Sequence, residues 1–280
     1  MSTQSADHEF EFTDSEFKRL REIVHLRTGI ALSEAKRELV YGRLARRLRK
    51  LNLNTFAEYC ELVEGSESAE LEELTNAITT NLTSFFRESY HFDQLSAEAL
   101  PYVESKRAGS RRMRLWSAGC STGEEPYSLA IVMREALAHL PSWDIKLLAT
   151  DIDSKVVATA AEGVYTAERF KGVPSERVRN WFRPAPGRPG SSAAVAELKD
   201  LITFKQLNLL DPWPMKGPFD IIFCRNVVIY FDKDTQRRLF DRMADLQEPG
   251  DWLFIGHSEN LLNVTRRYKL VGRTVYRRVE

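Results

Sequence analysis

The chain has 280 residues, 43% of them hydrophobic, which is ordinary for a folded protein and enough for one large domain beside a smaller one. Lys plus Arg and Asp plus Glu both number 40, so net charge gives no global pull toward nucleic acid or an anionic membrane, and any such partner must be met by a local patch. Cys60, Cys120 and Cys224 stand far apart with no C-x-x-C pair, and His8, His25, His91, His139 and His257 show no metal-ligand spacing, so neither a disulfide framework nor a metal centre is expected. The start is polar (Asp7, Glu9, Glu11) and no apolar run nears the roughly 18 residues of a membrane span. The expected setting is a reducing cytoplasm, without membrane insertion.

Residues 1–78 read as a helical domain. Thr13-Asp14-Ser15-Glu16 is a capping box, and Phe17, Leu20 and Val24 follow at helical spacing. A second helix over about 33–51 places Val40, Leu44, Leu48 and Leu51 on one stripe. Between Lys36 and Lys50 it carries Lys36, Arg37, Arg43, Arg46, Arg47, Arg49 and Lys50 against one acid, Glu38. A solvated face is the plainer explanation of such a run; the functional one is a face free for an acidic partner, with Arg43, Arg46, Arg47 and Lys50 as docking residues. Short helices are expected at about 56–63 and 71–78. Residues 79–112 form an interdomain segment, linker or helix.

From Met113 the pattern changes to strands alternating with helices, which implies an α/β domain over 113–280 with a mostly parallel sheet covered on both faces. Strands are expected near 113–118, 145–150, 202–207, 220–225 and 251–256, with a final antiparallel pair near 268–271 and 274–278. Helices are expected near 124–139, 153–162 and 233–246. Between about 163 and 200 the alternation breaks, and Pro184 to Ser192 is too rich in Pro, Gly and Ser for a helix or a central strand, so this stretch is an insertion.

The stretch Met113 to Ser128 carries the most information. Arg114, Leu115 and Trp116 lead through a strand into Gly119 and Gly123, where backbone must bend or approach a ligand closely, and Glu124, Glu125 and Pro126 open a helix. The next strand ends in Asp151-Ile152-Asp153, one crossover away. A strand, a glycine turn, a helix N-terminus and an acid at the next strand end form a nucleotide cradle, with the acid aimed at ribose hydroxyls.

The segments Asn81-Leu82-Thr83-Ser84-Phe85-Phe86-Arg87-Glu88, Trp116 to Ser128, Ala149 to Asp153, Phe223-Cys224-Arg225-Asn226-Val227-Val228-Ile229-Tyr230-Phe231 and Gly256-His257-Ser258-Glu259-Asn260 together resemble the chemotaxis receptor methyltransferases, the CheR family. The motifs run in register over nearly the whole chain. The resemblance implies a class I S-adenosylmethionine-dependent methyltransferase with a Rossmann-like, mostly parallel seven-stranded sheet, a small all-α N-terminal domain and a small β-subdomain insertion. It implies methyl transfer to glutamate carboxylates on the cytoplasmic helices of chemoreceptors, with release of S-adenosylhomocysteine. Asn81, Thr83 and Arg87 would then sit over the cofactor, with Gly119 in the turn and Glu125 beside its methionine or ribose portion. Asp151 would hold the ribose hydroxyls, Asn208 and Leu209 would border the adenine, and Arg225, Asn226 and Tyr230 would line the floor by the methyl group. In some members the insertion docks a peptide from the receptor C-terminus; here Arg183 to Ala194 leaves that mode open. A monomer is expected.

Plainer roles stand beside several of these. Asn208 could cap a turn before Asp211-Pro212, Asp153 reads as a helix N-cap, Tyr127 could be helix packing, and Phe85 and Phe86 read as core. A glutamate, with an ordinary pKa near 4.3, is already a nucleophilic carboxylate at neutral pH, so no general base is needed; Arg87 and Tyr230 are the expected positioning groups. The stretch Arg225 to Tyr230 has no Pro-Pro after its Asn, which disfavours an exocyclic amine substrate. The alternatives are a methyltransferase for RNA or another protein, prompted by the basic helix, and a regulator that binds S-adenosylmethionine without turnover; nucleic acid is not the expected partner.

Overall fold

The computed structural model describes residues 8–65 and 69–279; the polar start as far as Asp7 lies outside them. The chain divides into two units, one running to Thr80 and taking in Tyr230–Asp232, the other comprising Asn81–Ile229 and the residues from Lys233 on.

The first unit is helical, with α1 (Asp14–Thr28), α2 (Arg37–Leu51), α3 (Phe56–Glu64) and α4 (Ala69–Ile78). Helix α1 starts where its capping box predicts: Glu16 N donates to Thr13 Oγ1, and Thr13 N donates to the Glu16 carboxylate. Thr55 and Glu58 repeat the device at α3. Phe17, Leu20 and Val24 of α1, Val40, Leu44 and Leu48 of α2, and Phe56, Tyr59 and Val63 of α3 share one core. Leu51 is only half-buried, at the end of its stripe.

The other side of α2 is not the free cationic face expected from its sequence. Arg47 Nε donates to Glu70 Oε1 at 2.8 Å, and its Nη1 lies 3.3 Å from Glu73 Oε2, both acids of α4. Arg43 Nη1 donates to the carbonyls of Ala77, Ile78 and Thr79 at 2.9, 3.2 and 2.7 Å, groups that a helix C-terminus leaves unmet. Arg37 bonds Asp14 and the Phe12 carbonyl, Arg49 pairs with Glu9, and Lys36 Nζ lies 4.7 Å above the Tyr230 ring. Arg46 and Lys50 remain exposed. Arg43 and Arg47 are therefore corrected from docking residues to ties within the helical unit, because acids and carbonyls distant in sequence claim them.

The second unit contains β1 (Arg112–Ala118), β2 (Asp144–Asp151), β3 (Val164–Thr166), β4 (Phe182–Pro184), β5 (Ser191–Ala194), β6 (Ile202–Gln206), β7 (Ile221–Cys224), β8 (Trp252–Ile255), β9 (Tyr268–Leu270) and β10 (Val275–Arg278). Seven of them form one sheet in the order β6-β2-β1-β7-β8-β10-β9, parallel except where β10 runs antiparallel to β8 and β9. Every residue of β7 and β8 is buried, as strands covered on both faces must be. The insertion supplies a separate antiparallel sheet, β3-β5-β4, and the Pro- and Gly-rich stretch joins β4 to β5.

Residues 79–112 do more than connect. Helix α5 (Tyr90–Gln94), a π-helical turn (Leu95–Ala99) and α6 (Leu100–Arg107) run on without a break, and Phe92, Leu95, Ala99, Leu100 and Val103 belong to the core of the sheet unit. The π turn lies directly ahead of Pro101, which has no N–H to give to the preceding turn. The remaining helices are α7 (Glu124–Ala136), α8 (Ser154–Glu162), α9 (Ser175–Trp181), α10 (Ala196–Lys199) and α11 (Lys233–Asp245). Among the described residues no helix is long and apolar enough to cross a membrane.

Candidate active site

Strand order reverses at β1 and β7, so their C-terminal ends bound the crevice where open α/β sheets take ligands. The loop after β1, the end of β2 and the residues after β7 meet there. Gly119 has φ 89°, and a Cβ on it would lie 2.2 Å from Val227 Cγ2, so the close approach its sequence implied is to the β7 loop. The Gly119 and Cys120 N–H groups both donate to the Thr150 carbonyl, at 2.8 and 2.9 Å. That folds the loop back over β2.

The loop then fixes Asp151. Ser121 N donates to Asp151 Oδ2 at 2.8 Å and Asp153 N to Oδ1 at 3.0 Å, and the carboxylate, with about four lone-pair sites, keeps capacity for a further donor. Burial pushes the Asp151 carboxyl up from its ordinary value, and the backbone N–H groups of Asp153, Ser121 and Ile152 pull it back. Asp153 caps α8 by accepting from Lys155 N and Val156 N, the plainer of its two expected roles. Its Oδ2 also accepts from Asn81 Nδ2 at 2.9 Å, while the Asn81 carbonyl accepts from Ser121 Oγ at 3.2 Å. Asn81 is thus bound into the same loop. Leu207 N donates to the Asp151 carbonyl at 2.8 Å, which sets the following turn beside β2; there Asn208 Oδ1 accepts from Leu210 N at 3.0 Å, as a turn cap, and Leu209 is buried.

A second cluster centres on Arg225, which is 4% exposed. Its Nη1 lies 3.1 Å from Glu125 Oε2 and its Nη2 3.1 Å from Glu88 Oε2, and it donates to the Arg87 carbonyl. Glu125, on the first turn of α7, also accepts from Ser117 Oγ at 2.8 Å; burial raises its carboxyl, and Arg225 and Ser117 oppose that. Glu88 accepts from Asn226 Nδ2 at 3.3 Å and from His257 N at 3.1 Å. Burial works against its charge, but Arg225 and the Asn226 and His257 donors win and hold it below its ordinary value. Glu259 gathers four N–H groups, from Gly256, Asn226, Val228 and Ile229 at 2.6, 3.0, 3.0 and 3.3 Å, and so pins the β7 loop to the β8 loop. Burial raises its carboxyl despite them.

Arg87 and Thr83 are half-buried. The Arg87 guanidinium donates to the Leu82 carbonyl at 2.8 Å, and no carboxylate among the described residues pairs with it. Tyr230 groups with the helical unit, where its carbonyl accepts from Ala31 N at 3.0 Å. Tyr127 is fully buried with its hydroxyl on the Ala160 carbonyl, and Phe85 packs with Tyr165, Phe170 and Phe182, so both are packing residues.

Neither Glu88 nor Glu259 draws a role from the sequence, although both lie inside the motifs. The available signal was an acid directly after Arg87 and another in the turn after a buried strand. The insertion is also stapled to the β1 loop: Tyr165 hydroxyl donates to the Thr122 carbonyl at 2.8 Å, and Arg169 Nη1 lies 3.2 Å from Glu124 Oε1. At Gly123, with φ 99°, a Cβ would fall 2.6 Å from that hydroxyl.

The donor set suits a ligand with adjacent hydroxyls and positive charge: acceptor lone pairs at Asp151, and two carboxylates around a single guanidinium. Residues 81–277 match the family described as CheR methyltransferase, SAM binding domain, and residues 15–79 match CheR methyltransferase, all-alpha domain. Over 272 residues the chain is 44% identical to chemotaxis protein methyltransferase 2 of Pseudomonas aeruginosa, covering 96% of this chain and 95% of that protein. It is 42% identical to the chemotaxis protein methyltransferase of Salmonella typhimurium, covering 94% of this chain and 90% of that protein. The Escherichia coli protein of the same name is 41% identical, covering 94% of this chain and 91% of its own length. With matches spanning both units and a crevice of fitting chemistry, the chain belongs to the CheR methyltransferase family.

Proposed function

We propose that this chain methylates glutamate side chains on the helical cytoplasmic segments of chemoreceptors, using S-adenosylmethionine and releasing S-adenosylhomocysteine. The observation that carries the reading is that Asp151 at the end of β2 and the Glu125–Arg225 pair, on the first turn of α7 and just after β7, flank the end of β1. The cofactor supplies an electrophilic methyl group on a sulfonium. The chain's task is to bind, align and exclude water, because an ionised glutamate needs no base and water would stabilise the separated charges that the transfer cancels.

In this reading the free lone pairs of Asp151 take the ribose hydroxyls, Asn208 and Leu209 border the adenine, and Asn81 and Thr83 close over the bound cofactor. Gly119 keeps the β1 loop turned back, and Glu125 with Arg225 and Asn226 forms the floor. Arg87 and Tyr230 align the substrate carboxylate; support for Arg87 is a guanidinium bonded to a carbonyl with no carboxylate partner among the described residues. Arg46 and Lys50 are the exposed cations offered to an acidic receptor surface. The insertion, with β3 and β4 as the edges of its sheet, is a candidate dock for a receptor C-terminal peptide, and the enzyme works as a cytoplasmic monomer. A nucleic-acid substrate draws less support: six of the seven cations between Lys36 and Lys50 have partners within the helical unit.

The test is transfer of labelled methyl from S-adenosylmethionine to a purified receptor cytoplasmic fragment, read as base-labile label. Label on glutamate is expected. Arg87→Ala should cut the rate by about tenfold or more with little change in thermal stability. Label on RNA but not on receptor would overturn the reading.

A further inference from the structure

Glu88 is tied to two separate stretches of chain. Its carboxylate accepts from Asn226 after β7 and His257 after β8, and lies 3.1 Å from Arg225, whose side chain also bonds the carbonyl of the neighbouring Arg87. Glu88 holds this place in the left-handed region, at φ 57°, which is costly for a residue with a side chain. Arg225 in turn reaches Glu125. The chain Glu88–Arg225–Glu125 therefore sets one positive charge between two carboxylates and keeps one negative charge in excess. Among the described residues no second arginine or lysine pairs with either carboxylate, and His91, with Nδ1 3.4 Å from Glu88 Oε2, is fully buried and has Thr274 Oγ1 on Nε2 at 2.9 Å. Burial, aided by Arg225, lowers the His91 pKa to about 3 and keeps the ring neutral.

This excess charge has a chemical counterpart, given that S-adenosylmethionine is the cofactor. S-adenosylmethionine differs from its product in one methyl group and one positive charge on sulfur. A hydrogen-bonding frame would hold both molecules equally, whereas a net negative charge in a poorly solvated site holds the sulfonium better. We propose that Glu88 is a specificity-determining residue, whose charge, passed on through Arg225 and Glu125, favours the sulfonium form of the cofactor over the thioether product.

The experiment is calorimetry of the full-length protein and Glu88→Gln with S-adenosylmethionine, S-adenosylhomocysteine and sinefungin, a non-reactive analogue with an amine in place of the sulfonium. The amide keeps much of the shape and removes the charge. The two cationic ligands should lose about three- to thirtyfold more affinity than S-adenosylhomocysteine, as loss of one unit charge acting across a few ångströms at intermediate dielectric implies. If Glu88 only props the loops, all three ligands weaken together; a ratio unchanged within twofold overturns the proposal. Should Glu88→Gln not fold, Glu88→Asp carries the test: it keeps the charge, so the three ligands should move in parallel, and a loss confined to the cationic pair would overturn the assignment. Failure of the wild-type protein to bind any of them would instead refute the cofactor reading.

Discussion

Two groups of arginines in this chain look alike in sequence and do different work. In the helical unit, Arg43 and Arg47 reach carbonyls and acids of α4 and hold helices together. In the sheet unit, Arg225 is buried between Glu88 and Glu125 at the mouth of the crevice. What separates them is where their partners come from. Those of Arg43 and Arg47 lie on the face and C-terminal end of a packed helix, whereas those of Arg225, Glu88 just ahead of α5 and Glu125 on the first turn of α7, lie beside the crevice at the strand ends. Buried charge stabilises weakly when paired and costs heavily when one partner goes, so loss of either kind of arginine should cost stability, and under the proposed function only loss of Arg225 should also cost binding.

The largest effect is expected at Arg225. Arg225→Met leaves two enclosed carboxylates without their cation and should cost about 3–5 kcal/mol of stability in urea unfolding, with loss of S-adenosylhomocysteine binding. Unchanged binding would place Arg225 with the structural arginines and break the contrast. Next comes Arg47→Ala, which strands Glu70 and should remove about 2–4 kcal/mol, seen as a lower Tm, while cofactor affinity stays as in the wild type. A fall in that affinity would mean that the two groups are coupled. Asp151→Asn sharpens the comparison within the crevice: an amide offers fewer acceptor lone pairs, so calorimetry should show S-adenosylhomocysteine binding weaker by about 1–3 kcal/mol with the fold intact. The smallest stability effect belongs to Arg46→Glu with Lys50→Glu, exposed positions where unfolding should shift by no more than about 0.5 kcal/mol. Receptor methylation by that variant should nonetheless slow and lose salt sensitivity, because exposed charges act mainly on encounter. Equal rates across ionic strength would return α2 to a solvated face.

The strands and the acid at the end of β2 were legible in the sequence because each depends on neighbours within one short segment: buried runs such as Ile221 to Cys224, and an Asp placed one crossover after a glycine turn. Glu88 and Glu259 were not, since their partners are backbone N–H groups and an arginine brought together only by the closed sheet. A charge stripe likewise cannot declare its own partners; nothing within α2 announces that Glu70 will meet Arg47. The helical run from Tyr90 to Arg107 was obscured by Pro101 and by a π turn, which shifts the apolar spacing off the helical period.

The contacts of Tyr165 with Thr122 and of Arg169 with Glu124 have a consequence for how this domain can be altered. The insertion is not a detachable module. Its sheet is spliced between α8 and β6, yet it supports the turn that opens α7, so a chimera carrying another protein's insertion inherits that protein's support for the turn as well. An exchange that keeps Tyr165 and Arg169 in place swaps the outer part of the insertion alone; one that replaces them also removes two contacts that hold the loop leading to α7. The insertion and the β1 loop are therefore inherited together, and a graft of the first will disturb the second unless those two residues travel with the host.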